Sequence, residues 1–216
     1  DYQPPSFAVE TVDLDIKLFD DHAIVDSTLM MQRQTDGDLV LYGEGLELIS
    51  IKLNDEILNS ERYTQTDGKL TITNAPEYSK LQLQVRIHPH TNTALEGLYI
   101  AGSGDDTMFV TQCEPEGFRK ITFYPDRPDV LARFTTRLEA DKRFPTLLSN
   151  GNLLEAGEVS DVPERHYAIW QDPTNKPSYL FACVIADLDV LTDSYTTSEG
   201  REVMLELYAK SEDIDK

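Results

Sequence analysis

V-D-L-D-I-K-L (residues 12–18) sets apolar Val12, Leu14, Ile16 and Leu18 against polar Asp13, Asp15 and Lys17. Side chains on an extended chain alternate between faces, so this period of two describes a strand with one face buried and one wet. L-Q-L-Q-V-R-I (81–87) repeats the pattern. Between these runs, Ile49, Ile51 and Leu53 lead into Asn54-Asp55, while Leu70 and Ile72 follow Asp67-Gly68. Both dipeptides carry the chemistry of tight turns. Further strands are predicted at 24–31, 39–42, 108–114, 166–171, 179–186 and 203–208, the last completing a hairpin after Glu199-Gly200. About ten strands with turns between them describe a sandwich or a large open sheet. The one helical signal is at 129–144, read as a brief turn of helix capped by Asp129 and then a strand carrying Phe134, Thr136, Leu138 and Ala140. The fold class is mostly β.

The chain has 216 residues, 40% of them hydrophobic, enough for a core in one large domain or a domain plus a piece of another. Asp and Glu number 39 against 19 Lys and Arg, a formal charge of −20. Such a surface repels phosphate backbones and anionic bilayers, which argues against a general nucleic-acid or membrane partner. No apolar run approaches the ~18–20 residues of a membrane helix, and the first seven residues lack a secretory-signal pattern. Two cysteines, Cys113 and Cys183, are too few for a disulfide scaffold. They read as buried reduced thiols of a cytoplasmic protein, with a single bridge left open. No repeat or low-complexity linker divides the chain, and the charged tail at 211–216 is expected to fray.

Few residues carry chemistry. His88-Pro89-His90 is the one close histidine pair, and no Cys or carboxylate spacing completes a zinc set around it. Neither H-E-x-x-H nor G-x-S-x-G occurs. The acidic pairs Asp20-Asp21, Asp36/Asp38 and Asp105-Asp106 lack calcium-loop spacing and read as solvated turns. The informative stretch is T-Q-C-E-P-E-G-F-R (111–119). On a strand, Gln112 and Glu114 share one face and Cys113 takes the other. Pro115 pushes Glu114 towards extended backbone at a strand end. A carboxylate there suits an ammonium group. A pair of carboxylates, Glu114 and Glu116, acting as a hydrolase is a minor alternative, since Pro115 interrupts the strand that would align them.

TQCEPEGFR (111–119), FYPDRPDVLARF (123–134), LLSNGN (147–152), QDPTNKPSYLFACVIADLDVL (171–191) and TNTALEGLY (91–99) together resemble the N-terminal domain of the bacterial aminopeptidase N family, gluzincin-type zinc aminopeptidases. The resemblance implies a saddle-shaped, mostly antiparallel β domain packed over a catalytic domain. It implies a whole enzyme that releases single residues from peptide N-termini with one zinc ion. Glu114 would bind the substrate's free α-amino group and Gln112 would line the pocket for the first side chain. No catalytic or metal residue is expected within this sequence, which contains neither G-A-M-E-N nor H-E-x-x-H. The reading is therefore an N-terminal β domain at 1–190 and the first strands of a catalytic domain at 191–216. Alone, it is expected to bind no zinc, to be inactive, and to leave an apolar docking face open. The competing reading is a stand-alone β-sandwich module that binds carbohydrate or protein through Trp170 and the tyrosines.

Overall fold

The alternation at 12–18 extends backwards into one long strand, β1 (Phe7–Leu18), whose inner face carries Phe7, Val9, Val12, Leu14, Ile16 and Leu18, all buried. Odd and even positions reach the same face because the pairing register shifts between Val9 and Thr11. The extra residue, Glu10, is a bulge that resets the parity. The structure, a computed structural model, describes residues 2–214; Asp1 and the end of the tail expected to fray, Asp215 and Lys216, lie outside the described residues, as does the side chain of Asp105. The remaining strands are, in chain order, β2 (Ala23–Arg33), β3 (Leu39–Tyr42), β4 (Glu47–Leu53), β5 (Glu56–Ile57), β6 (Tyr63–Thr66), β7 (Lys69–Ile72), β8 (Tyr78–Ile87), β9 (Gly97–Ala101), β10 (Met108–Gln112), β11 (Leu131–Asp141), β12 (Thr146–Ser149), β13 (Asn152–Glu158), β14 (Arg165–Pro177), β15 (Cys183–Ala186), β16 (Asp189–Thr196) and β17 (Glu202–Ala209).

Eight strands form one sheet in the order β13-β14-β11-β1-β2-β8-β4-β5. Its pairings are antiparallel except β1 with β11, which is parallel. A four-stranded sheet runs β12-β15-β10-β9, a three-stranded one β3-β7-β6, and β16 pairs only with β17. The Asn54-Asp55 turn joins β4 to β5 with both residues at positive φ, 53° and 68°, and Gly68 at φ 78° joins β6 to β7. One contiguous buried cluster takes side chains from the eight-, four- and three-stranded sheets, and the β16–β17 hairpin contributes none to it. Burying the inner faces of these sheets in one core removes their apolar alternation from water.

Four expectations are corrected. No helix forms at Asp129: a turn leads straight into β11, whose backbone pairs with β14 from Leu131 and in parallel with β1 from Arg133. Predicted strand 108–114 ends at Gln112, because Pro115 has no amide to offer a ladder and the chain turns instead. Predicted strand 179–186 starts only at Cys183, after a 3-10 turn at Ser178–Leu180. Ile49 is exposed rather than inward, since a register shift between Leu48 and Ser50 turns it out and packs Leu48 against the core.

Candidate functional site

The stretch 111–119 lies where the four-stranded sheet ends. The Thr111 hydroxyl accepts the Cys183 amide at 2.8 Å, extending the β10–β15 ladder past its last backbone pair. Gln112 then faces solvent, Cys113 is buried, and Glu114 is again exposed. Gln112 and Glu114 are both exposed, but Glu114 stands in a turn rather than on extended backbone. The turn closes where the Gly117 amide donates to the Cys113 carbonyl at 3.0 Å. Gly117 packs against the chain entering the turn: a Cβ there would lie 2.3 Å from the Gln112 carbonyl oxygen. Phe118 follows into the core and meets Tyr124, Phe134 and Phe181 edge to face at 5.0, 5.8 and 5.3 Å between centroids. The turn is therefore pinned by sheet on one side and by aromatic packing on the other.

Arg119 completes the mounting. Asp126 accepts its backbone amide at 3.2 Å and its Nε at 3.1 Å, and the Ser178 hydroxyl donates to the same carboxylate at 2.5 Å. The guanidinium stacks 4.7 Å from the Tyr42 ring and reaches Glu116 at 2.8 Å. Glu116 is thereby occupied as an ion-pair partner, which leaves it poorly placed for the two-carboxylate hydrolase. Glu114 has no hydrogen bond or ion pair among the described residues. Gly117, Arg119, Asp126 and Ser178 were missing from the residues singled out by sequence, although the first two stand in the stretch itself.

The other candidates resolve into structure. His88 hydrogen-bonds Glu47 at 2.9 Å, which holds the imidazole's pKa above its ordinary value, whereas His90 packs edge-on to Phe109. The pair does not converge. Trp170 is half-buried and donates to the Leu147 carbonyl at 2.9 Å, a structural use rather than a stacking platform. Cys113 and Cys183 are free and buried. Burial pushes both thiols up, Cys183 to about 12, so neither is a nucleophile at neutral pH. Among the described residues no three His, Cys, Asp or Glu side chains could hold a metal ion, so these residues do not fit a zinc site. What the arrangement can do is bind: an exposed, unpaired carboxylate on a fixed turn, two residues after an exposed amide side chain at the end of β10. Neither side chain lines the cleft of about 510 Å³ around His90, Phe109 and Arg143, or that of about 530 Å³ between Leu147, Trp170 and Met204.

Residues 8–180 match the family described as Peptidase M1 N-terminal domain. This chain belongs to that family. The M1 domain is 46% identical over its full length to aminopeptidase N of Escherichia coli (strain K12), of which it covers 24%, and 47% identical over 96% of its length to aminopeptidase N of Caulobacter vibrioides, again covering 24%. It superposes with a TM-score of 0.89 on the crystal structure of Legionella pneumophila aminopeptidase A in complex with aspartic acid, at 33% identity, covering all of this chain and 25% of that one. An M1 zinc metallopeptidase from Deinococcus radiodurans shares the fold at a TM-score of 0.76 and 18% identity, over 93% of this chain and 47% of that one. The M1 domain spans about a quarter of the length of the curated relatives it matches.

Proposed function

We propose that this domain is part of a longer zinc-dependent aminopeptidase, in which it covers the active site and reads the start of the peptide. Glu114 takes the free α-amino group and Gln112 lines the pocket for the first side chain. The zinc is held by residues outside this chain, and the catalytic domain begins near residue 191. The observation that carries the reading is the unpaired, exposed Glu114 carboxylate on a turn fixed by Gly117, Phe118 and Arg119. An exopeptidase has to measure a chain end, and only a terminal amine is cationic. An internal peptide would leave that carboxylate desolvated and unpaired once the site closes, at a cost of ~2–5 kcal/mol. That is roughly one and a half to three and a half decades in rate if fully expressed. Anchoring the amine also fixes the scissile carbonyl one residue away.

The M1 relatives support the enzyme class, and the site's openness supports a covering partner. The β16–β17 hairpin leaves Leu191, Met204 and Leu207 exposed and shares no residue with the core, which fits a hairpin belonging to the next domain of the same chain. A cytoplasmic setting is consistent with two free, buried thiols. The test is Glu114→Ala in the full-length enzyme. The expected result is a fall in kcat/KM of about two to three decades on a chromogenic alanyl amide, with zinc content unchanged. An unaltered kcat/KM would remove Glu114 from this role.

A further inference from the structure

The exposed Glu114 has nothing of its own to hold it, so its aim is set by the backbone of the turn from Cys113 to Gly117. Among the described residues, the tip of that turn is tied down by a side chain at one place: Glu116, two residues beyond Glu114, meets the Nη2 of Arg119 at 2.8 Å. Arg119 is itself held on several edges. Its side chain is 11% exposed and its partner Asp126 is 3% exposed. Asp126 takes the backbone amide and Nε of Arg119 through its carboxylate and Nη2 through its carbonyl oxygen at 3.2 Å. Ser178 locks the other carboxylate oxygen, and the Tyr42 ring covers the guanidinium face. Glu44 stands 3.9 Å from Nη1. Three separate parts of the fold therefore hold one guanidinium, and the guanidinium holds the turn. A planar fork gripped on several edges has one orientation, which a lysine ammonium would not keep.

We propose that Arg119 and Glu116 are positioning residues for amine recognition: the buried Arg119–Asp126 node fixes the turn through Glu116 and so sets where the Glu114 carboxylate meets the substrate. The proposal rests on the Glu114 reading above. Glu116 is more than half exposed. An ion pair in water contributes little to folding, so its loss shows in catalysis rather than in stability. A misplacement of a carboxylate on the order of 1 Å is enough to slow turnover by one to two decades.

The experiment compares four forms of the full-length enzyme on a chromogenic alanyl amide: the parent, Glu116→Gln, Glu114→Ala and the double variant, with Arg119→Lys as a second probe of the node. Glu116→Gln is expected to lower kcat/KM by roughly 5- to 50-fold while its urea midpoint and zinc content stay at the parent's values. In the Glu114→Ala background the same substitution is expected to cost nothing further, because the group it positions is gone. Arg119→Lys is expected to reproduce the Glu116→Gln loss, and the two together to be no worse than either. An equal loss in both backgrounds overturns the proposal, since Glu116 would then act elsewhere. Full activity in Glu116→Gln, with Glu114→Ala impaired, overturns the proposal and leaves the Glu114 reading standing. Full activity in Glu114→Ala overturns both.

Discussion

The carbonyl oxygen of Gln112 sits where a side chain on Gly117 would have to go: a Cβ would come within 2.3 Å of it and 2.9 Å of the Cα of Cys113. Both contacts are with backbone, so no rotamer change relieves them. The close approach is what allows the chain to leave β10, turn at Glu114 and return Phe118 to the core. Gly117→Ala must push the two limbs of the turn apart. The expected cost is that of overpacking, about 1–3 kcal/mol. It is read as a lower urea midpoint at unchanged m-value. A variant that unfolds with the parent's midpoint would show that the turn accommodates a methyl group and that the glycine is not needed for sterics.

Tyr124 presents the opposite case. Its ring is fully buried among Phe118 and Phe134, and its hydroxyl has no hydrogen-bond partner among the described residues. Burial, with Asp126 nearby, raises the phenol's pKa, so the group stays neutral. The bridge that joins this segment to β3 is made by backbone alone, Tyr42 amide to Tyr124 carbonyl at 2.8 Å and the reverse at 3.0 Å. Removing an unpaired buried hydroxyl relieves desolvation and breaks nothing. Tyr124→Phe is expected to leave stability unchanged or raise it by up to about 1 kcal/mol. A clear loss in the denaturant midpoint would reveal a partner for the hydroxyl.

Much of this was legible in the sequence because alternation and turn dipeptides are local. The strands around 12–18, 39–42 and 81–87, and the turns at Asn54-Asp55 and Asp67-Gly68, need only neighbouring residues to be recognised. What stayed hidden depends on pairing. The bulge at Glu10 and the outward turn of Ile49 come from register with other strands. The parallel match of β1 with β11 joins segments far apart in the chain. The site divides the same way. Gln112 and Glu114 stand in a recognisable stretch, and both are exposed. Arg119 could not be given its role from sequence, since Asp126 is seven residues on and Ser178 is 52 residues from Asp126. The proline at 115 was read correctly as an interruption, but sequence placed Glu114 on the strand when the turn had already begun.

Glu139 supplies a prediction in pH. It is buried, and burial alone would raise its pKa; the hydrogen bonds from Arg165 at 2.8 Å and Arg137 at 2.7 Å outweigh that and hold the carboxyl below its ordinary 4.5. A depressed folded value means that the unfolded chain binds the proton more readily. The stabilisation is therefore fully present above pH 4.5 and is lost as the pH falls through the folded value. Glu139→Gln keeps the shape and removes the titration. Thermal midpoints followed from about pH 6 down to about pH 3 should show the variant less stable at the upper end and the gap closing towards the lower. Parallel curves across that range would mean that Glu139 contributes nothing to the acid limb.

Gln112 and Glu114 can be separated by what each is proposed to touch. A carboxylate that grips the α-amine meets the same group on every substrate, so Glu114→Ala should lower kcat/KM by a similar factor whatever the first residue is. An amide that lines the first side chain's pocket meets a different group each time. Gln112→Ala in the full-length enzyme should therefore change the ranking of alanyl, leucyl and arginyl amides, with ratios shifting by roughly tenfold or less, the range open to single contacts in a pocket. Both side chains are exposed with the buried Cys113 between them in the chain, so a general disturbance of this segment would strike both functions together. Uniform losses across the three amides in Gln112→Ala would point to that disturbance and remove Gln112 from the pocket. A changed ranking in Gln112→Ala beside a uniform loss in Glu114→Ala would divide the reading of amine and side chain between the end of β10 and the turn that follows it.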